Sequence, residues 1–60
     1  MAERLANRLK ERRTELGLTQ AELAERVGVT RKTVNTVENG IFTPSATLAI
    51  KLAQAVGLSA

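Results

Sequence analysis

Apolar residues recur at helical intervals at the start of the chain. Leu5, Leu9 and Leu16 share one face of a helix over residues 3–16, and Gly17 follows where a left-handed residue would end it. This period predicts a first helix with one apolar stripe that faces a core.

A second helix is indicated by the sequence TQAE, which begins at Thr19 and has the form of a capping box. In this motif the Thr19 hydroxyl accepts a hydrogen bond from the Glu22 backbone N–H, and the Glu22 carboxylate accepts one from the Thr19 N–H. The helix is therefore predicted to begin at Gln20, with Leu23 and Val27 on its apolar face. It would be only about two turns long, and so short a helix is stable only when packed against others.

Two further helices are predicted in the second half of the chain. Thr30 is a suitable N-cap for a helix over residues 31–38, after which an Asn-Gly pair would end it. Ser45 is a suitable N-cap for a fourth helix, which Gly57 would close. The apolar stripe of that helix consists of Leu48, Ala49, Leu52, Ala53 and Val56.

The last three residues, Leu58-Ser59-Ala60, have the form of an apolar residue and an N-cap before one more helix. No alternating strand pattern is present. We therefore expect an all-α fold, a compact bundle of four to five helices, with residues 1–60 forming a single domain that either ends here or is cut before a fifth helix.

The third helix has an apolar side and a hydrogen-bonding side. Val34 and Val37 suit a core, whereas four polar side chains lie between about 100° and 200° from Val34 on a helical wheel. They are Lys32, Asn35, Thr36 and Asn39. Arg31 and Lys32 occupy the first turn, where the helix dipole disfavours a cation by roughly 0.3 to 1 kcal/mol.

Such a face suits DNA, because Arg or Lys pairs with guanine, Asn pairs with adenine, and all of them can contact phosphates. Two short helices joined by about three residues around a glycine also have the form of a helix-turn-helix, whose second helix can enter the major groove. The alternatives are an ordinary corner of a helical bundle and a merely solvated face.

Glu38 lies on the apolar side of the third helix, about 40° from Val34, where an unpaired carboxylate would cost several kcal/mol. Arg12 and Arg13 are the candidate partners, because a guanidinium can bind a carboxylate through two hydrogen bonds. We expect one of them to bury its head group and the other to extend toward solvent. The wheel does not choose between them.

The amino-acid composition excludes several classes of function and favours others. The net charge is +3, with nine Lys and Arg against six Asp and Glu, which favours a polyanionic partner. The chain has neither Cys nor His, so we expect no metal site, no cofactor and no enzymatic activity. The lack of Cys favours the reducing cytoplasm, and no apolar run approaches the roughly 20 residues of a membrane span. We therefore expect a cytoplasmic protein with no membrane partner, nucleoid-associated if its partner is DNA, and no small-molecule effector is evident.

Residues 17–40, GLTQAELAERVGVTRKTVNTVENG, resemble the helix-turn-helix of the Cro-type and lambdoid-repressor family, also called the xenobiotic-response-element family. The resemblance continues through PSATLAIKLAQAVG and so covers nearly the whole chain. It implies a lambda-repressor-like bundle of about five helices that binds double-stranded operator DNA in a sequence-specific manner. Such proteins usually act as dimers that regulate transcription, and we expect repression, with the helix over residues 31–38 in the major groove.

The resemblance also implies roles for individual residues. Gln20 would brace the recognition helix as well as contact DNA, and Arg13 rather than Arg12 would pair with Glu38. Position 12 is often Leu or Ile in the family, so Arg12 departs from the pattern. The expected base contacts are Arg31, Lys32, Asn35 and Thr36, and the expected phosphate contacts are Thr19, Gln20, Thr30, Thr33 and Asn39.

Three large apolar residues have no place in the predicted core. Ile41 and Phe42 lie in a loop, and Ile50 lies about 150° from the stripe of the fourth helix. We expect them to form the interface of a homodimer that places two recognition helices on a near-palindromic operator. The alternative function is a small helical protein-interaction module, antitoxin-like or bridging, that kept the fold without recognising DNA.

Overall fold

The computed structural model describes residues 2–58, and their side chains from residue 5 onward. The described residues form four α-helices, α1 (Ala2–Glu15), α2 (Gln20–Val27), α3 (Arg31–Glu38) and α4 (Ala46–Ala55). The predicted all-α fold class is confirmed. The predicted start of a fifth helix falls on residues 59–60, outside the described residues. Among the helices described here, none has the length and apolar character needed to cross a membrane.

Local capping sets the helix starts at the predicted positions. The Thr19 hydroxyl accepts from the Glu22 N–H at 3.0 Å, and the Glu22 carboxylate accepts from the Thr19 N–H at 2.9 Å. These two bonds complete the predicted capping box. The bond from the Thr19 backbone, together with Thr19's side-chain bond and the nearby Arg26, lowers the pKa of the Glu22 carboxyl. The Thr30 hydroxyl accepts from the Thr33 N–H and caps α3, and the Ser45 hydroxyl accepts from the Leu48 N–H and caps α4.

The core lies where all four helices meet. α2 packs against α3 and α4, and α1 packs against the same two helices. Each helix or its C-cap contributes at least one fully buried side chain, and burying each such residue stabilises the fold by about 1.5 to 3 kcal/mol. They are Leu9, Leu23, Val34, Val37, Leu52 and Val56.

The prediction that Leu16 belongs to the core-facing stripe of α1 was wrong. The helix ends at Glu15, and Leu16 is 48% exposed. Leu16 follows Leu9 by seven residues, a distance of about 10 Å along a helix axis. On α1 the core instead takes Ala6, which is buried one turn before Leu9.

Arg12, which departs from the family pattern, contacts the end of α4. Its Nε donates to the backbone carbonyl of Val56 at 3.2 Å, and its Nη1 lies 3.5 Å from the Glu15 carboxylate. The last carbonyls of a helix have no partner within the helix and carry a partial negative charge. Arg12 therefore donates a hydrogen bond to the C-terminal end of α4 and connects that end to α1.

Candidate nucleic-acid interface

The connection between α2 and α3 is a tight turn of three residues. Gly28 has φ +85°, a left-handed conformation that glycine adopts without steric cost. The N–H groups of Gly28 and Val29 both donate to the Ala24 carbonyl, at 2.8 and 2.9 Å. Val29 also packs against the core, and Thr30 caps α3. These contacts fix the position of α3 relative to α2.

The outer side of α3 is polar and accessible, as the helical wheel predicts. Val34, Val37 and Glu38 are buried, and Thr33 and Thr36 are half-buried. Four side chains are exposed: Arg31, Lys32, Asn35 and Asn39. The first turn of α3 contains no acidic residue.

The threonines on this face are engaged in local hydrogen bonds. The Thr30 hydroxyl accepts from the Thr33 N–H at 3.2 Å, and the two hydroxyls lie 3.0 Å apart. The Thr36 hydroxyl donates to the Thr33 carbonyl at 2.9 Å. Since a hydroxyl has one hydrogen, Thr36 presents lone pairs and a methyl group to a partner, and no donor.

A buried ion pair connects α3 to α1. Arg13 Nε donates to Glu38 Oε2 at 2.7 Å, and Arg13 Nη2 donates to Glu38 Oε1 at 3.1 Å. Arg13 Nη1 donates to the Leu18 carbonyl at 2.7 Å. Glu38 is only 7% exposed, so its charge is largely removed from water. The two hydrogen bonds from Arg13 compensate for this loss of hydration. The structure thus places Arg13, and not Arg12, against Glu38.

Three side-chain amides extend from this pair across the top of α3. Gln20 Nε2 donates to Glu38 Oε1 at 3.1 Å and to Asn35 Oδ1 at 3.2 Å. Asn39 Nδ2 donates to the Asn35 backbone carbonyl at 2.8 Å and to Asn35 Oδ1 at 3.0 Å. We call Gln20, Asn35 and Asn39 the amide network. The sequence analysis predicted a brace from Gln20 to α3 and a separate DNA contact for each of the three residues, but not the network itself. The signal that could have indicated it is the i, i+4 spacing of the two asparagines.

The loop after α3 brings apolar side chains beside this polar face. Ile41 and Phe42 both donate their N–H groups to the Thr36 carbonyl, at 3.0 and 3.2 Å, so the loop is attached to α3. Ile41 is 77% exposed, Phe42 44% and Ile50 54%, which confirms that the core does not accommodate them. An open groove of about 540 Å³ runs between α3, this loop and the start of α4. Ile41, Phe42, Leu48, Lys32 and Thr36 are among the residues that line it.

A family model described as helix-turn-helix matches residues 9–60. The chain belongs to the helix-turn-helix family. The resemblance to the xenobiotic-response-element type, inferred from residues 17–40, is confirmed.

Relatives of this helix-turn-helix chain carry matching descriptions. An uncharacterized HTH-type transcriptional regulator of Methanothermobacter thermautotrophicus is 57% identical over 49 residues, which cover 82% of this chain and 71% of that protein. The uncharacterized HTH-type transcriptional regulator YgzD of Bacillus subtilis is 43% identical over 54 residues, covering 90% and 82%. The crystal structure of the restriction-modification controller protein C.AhdI from Aeromonas hydrophila has a TM-score of 0.87 at 36% identity, covering 97% of this chain and 84% of that one.

Within this helix-turn-helix, the predicted DNA-contacting residues lie on α3, at its N-cap and C-cap, and at the start of α2. Their side chains differ in what they can offer. The side chains of Arg31 and Lys32 make no hydrogen bond or ion pair with any other described residue. The amide nitrogens of Gln20 and Asn39 are engaged inside the protein, as is the Thr36 hydroxyl hydrogen. The free donors on this face are therefore the two cations and the Asn35 amide nitrogen.

Proposed function

We propose that this chain binds double-stranded DNA in a sequence-specific manner, with α3 in the major groove, and that it acts as a repressor. The coarser function, DNA-binding transcription regulation, follows from the helix-turn-helix family and from the descriptions of the relatives. The observation that supports the finer proposal is the outer face of α3. It combines exposed cations with amide and hydroxyl groups, and the buried Arg13–Glu38 ion pair connects α3 to α1.

The division of labour follows from position and chemistry. Arg31 and Lys32 lie at the N-terminal end of α3, the part of a recognition helix that contacts base edges. In this proposal they recognise bases together with Asn35 and Thr36, while contacts to phosphates fix the orientation of the protein. Of the five predicted phosphate contacts, Thr19, Thr30 and Thr33 keep this role in the proposal, whereas the amide hydrogens of Gln20 and Asn39 are engaged within the protein. The net charge of +3 favours the approach to a polyanion.

Selection from a pool of randomised duplexes tests this proposal, because it reports both the recovered motif and the separation of half-sites. Arg31→Ala and Lys32→Ala should each weaken binding by about 1 to 3 kcal/mol and relax the preference at one base pair. Lys10→Ala is the matched control, since it removes one exposed charge from α1 and should leave base preference unchanged.

Failure to recover any motif would reject DNA recognition. The alternative is then a protein-interaction module, in which the outer face of α3 contacts a protein partner. If Arg31→Ala and Lys32→Ala weaken binding no more than Lys10→Ala does, the assignment of α3 as the recognition helix fails. Binding to chromosomal DNA would make the protein cytoplasmic and nucleoid-associated.

We also propose that the chain dimerises through Ile41, Phe42 and Ile50. A self-complementary patch is the simplest way to remove these exposed side chains from water, and a two-fold dimer suits a near-palindromic operator. Two recognition helices would then lie one DNA turn apart, about 34 Å.

Sedimentation at tens of micromolar tests the dimer. Phe42→Asp or Ile50→Asp should yield monomers that keep their helical circular dichroism. Leu16→Asp is the matched control, because Leu16 is also an exposed apolar residue but lies outside the proposed interface. Wild-type chains that stay monomeric, both alone and on a palindromic duplex, would contradict the proposal.

A further inference from the structure

We infer that Asn35 presents only hydrogen-bond donors to DNA, and that it therefore contacts acceptors, on a guanine edge or a phosphate, instead of making the two-bond contact of an amide with adenine. This inference rests on the proposed function, because it requires the outer face of α3 to contact a duplex. It changes the specificity that the residue type alone suggests, since asparagine is commonly paired with adenine.

The orientation of each amide in the network is determined by a group that can only accept. The ionised Glu38 carboxylate has no hydrogen to donate, so the Gln20 atom at 3.1 Å from it must be the nitrogen. The backbone carbonyl of Asn35 likewise can only accept, so the Asn39 atom at 2.8 Å must be the nitrogen. Neither amide can be rotated by 180° without placing an oxygen against an oxygen.

These two nitrogens in turn determine the orientation of Asn35. Gln20 Nε2 and Asn39 Nδ2 lie 3.2 and 3.0 Å from the same atom of the Asn35 side chain. Because both neighbours are donors, that atom must be the oxygen. The nitrogen is therefore at the other end of the Asn35 amide group, on an exposed residue, and it donates to no other described residue.

Recognition of adenine requires both ends of an asparagine amide. The oxygen accepts from the adenine N6 amino group while the nitrogen donates to N7. An amide oxygen has two lone pairs, and in Asn35 two internal donors already occupy them. The two hydrogens of the Asn35 nitrogen remain available, and they match guanine O6 and N7 or a phosphate oxygen.

Gln20 is thus a positioning residue in this inference. It connects the buried Arg13–Glu38 pair to the exposed Asn35 amide through two hydrogen bonds from one nitrogen. The orientation of a residue at the DNA surface is therefore set by the charge pair below it.

The DNA test compares the motif selected by the wild-type chain with that selected by Asn35→Ala. We expect the variant to lose preference for guanine at one base pair, and wild-type affinity to fall about tenfold when that guanine is replaced by 7-deazaguanine. If the donor instead contacts phosphate, Asn35→Ala should weaken all duplexes equally, and a methylphosphonate at one linkage should abolish the difference between the two proteins. Either result supports a donor-only Asn35.

An adenine at the base pair affected by Asn35→Ala, with the same loss when purine, which lacks the N6 amino group, replaces that adenine, would show that the Asn35 oxygen accepts from the base. That result would overturn the inference while leaving the proposed function intact. Recovery of no motif by the wild-type chain would instead reject the proposed function, and this inference with it.

A second measurement tests the amide orientation in the protein without DNA. We expect the side-chain NH₂ protons of Gln20 to exchange with water more slowly than those of Asn35 in solvent-exchange NMR. Gln54, an exposed glutamine on α4, is the matched reference, and the Asn35 protons should exchange as quickly as those of Gln54. Asn35 protons as slow as those of Gln20 would show that the network is oriented differently and would overturn the inference.

Discussion

Truncation of Glu38 to alanine is the most informative perturbation of the fold, because it removes the partner of a buried cation. In Glu38→Ala, Arg13 would lose the acceptors of its Nε and Nη2 and keep only the Leu18 carbonyl. Gln20 would lose one of the two acceptors of its amide nitrogen. The guanidinium would remain in a site built for a charge pair, with its neutralising carboxylate gone.

The expected loss of stability is large for so small a chain. Removing one member of a buried ion pair costs about 3 to 5 kcal/mol. Natural proteins have roughly 0.05 to 0.15 kcal/mol of stability per residue, which gives about 3 to 9 kcal/mol for 60 residues. Glu38→Ala should therefore remove at least a third of the free energy of unfolding, and the midpoint of thermal unfolding should fall by roughly 12 °C or more.

Urea titrations followed by circular dichroism measure this loss, with trimethylamine oxide added where a variant needs support to fold. The double variant Arg13→Met/Glu38→Leu replaces both charges by apolar groups and should be more stable than Glu38→Ala, because no unpaired charge remains. Glu15→Ala is the control, since the Arg12–Glu15 contact is exposed and 3.5 Å long, and its removal should cost less than about 1 kcal/mol.

Two results would refute this reasoning. One is a loss in Glu38→Ala no larger than that in Glu15→Ala. The other is a double-mutant cycle in which the effects at positions 13 and 38 simply add, because a true pair should show a coupling of about 2 kcal/mol or more.

Three further predictions concern the helix ends. Gly28→Ala should destabilise the chain by about 1 to 2 kcal/mol in urea titrations, because φ at this position is +85°. No atom lies within 4 Å of the added Cβ, so the cost comes from the backbone conformation, and Gly28→Asn should cost less. Because the folded-state pKa of Glu22 is lowered, its contribution to stability is complete above the unfolded value of 4.5 and is lost as pH falls through the folded pKa. Glu22→Gln should therefore reduce the loss of stability on acidification below pH 4.5. Arg12→Met should cost about 1 kcal/mol by freeing the Val56 carbonyl, whereas Arg8→Met, at an exposed position one turn earlier, should change stability by less than about 0.5 kcal/mol.

The helix boundaries could be predicted because their signals are local. Thr19, Thr30 and Ser45 each cap a helix by bonding to a backbone N–H three residues later. Gly28 ends α2 by adopting a conformation that depends only on its own lack of a Cβ. Such interactions require no knowledge of where other helices lie, so the sequence alone determines them.

The polar face of α3 was also determined by the sequence. A helical period assigns Val34 and Val37 to one side and Lys32 and Asn35 to the other, whatever the helix packs against. The same period places the Glu38 carboxylate on the apolar side, where an unpaired charge is costly, and this predicted an arginine partner.

The helical wheel left open which arginine that partner is, and the family resemblance implied Arg13. The tertiary structure shows this pair and alone decides what Arg12 contacts. Arg13 and Glu38 are 25 residues apart, and Arg12 and Val56 are 44 apart, so both contacts depend on how α1 crosses the other helices. The same is true of Leu16, which the helical period assigned to the apolar stripe but which lies beyond the end of α1 and is exposed. Periodicity gives the angle of a side chain around its own axis, whereas contact also depends on the position of the neighbouring helix along that axis, which is a property of the packed chain.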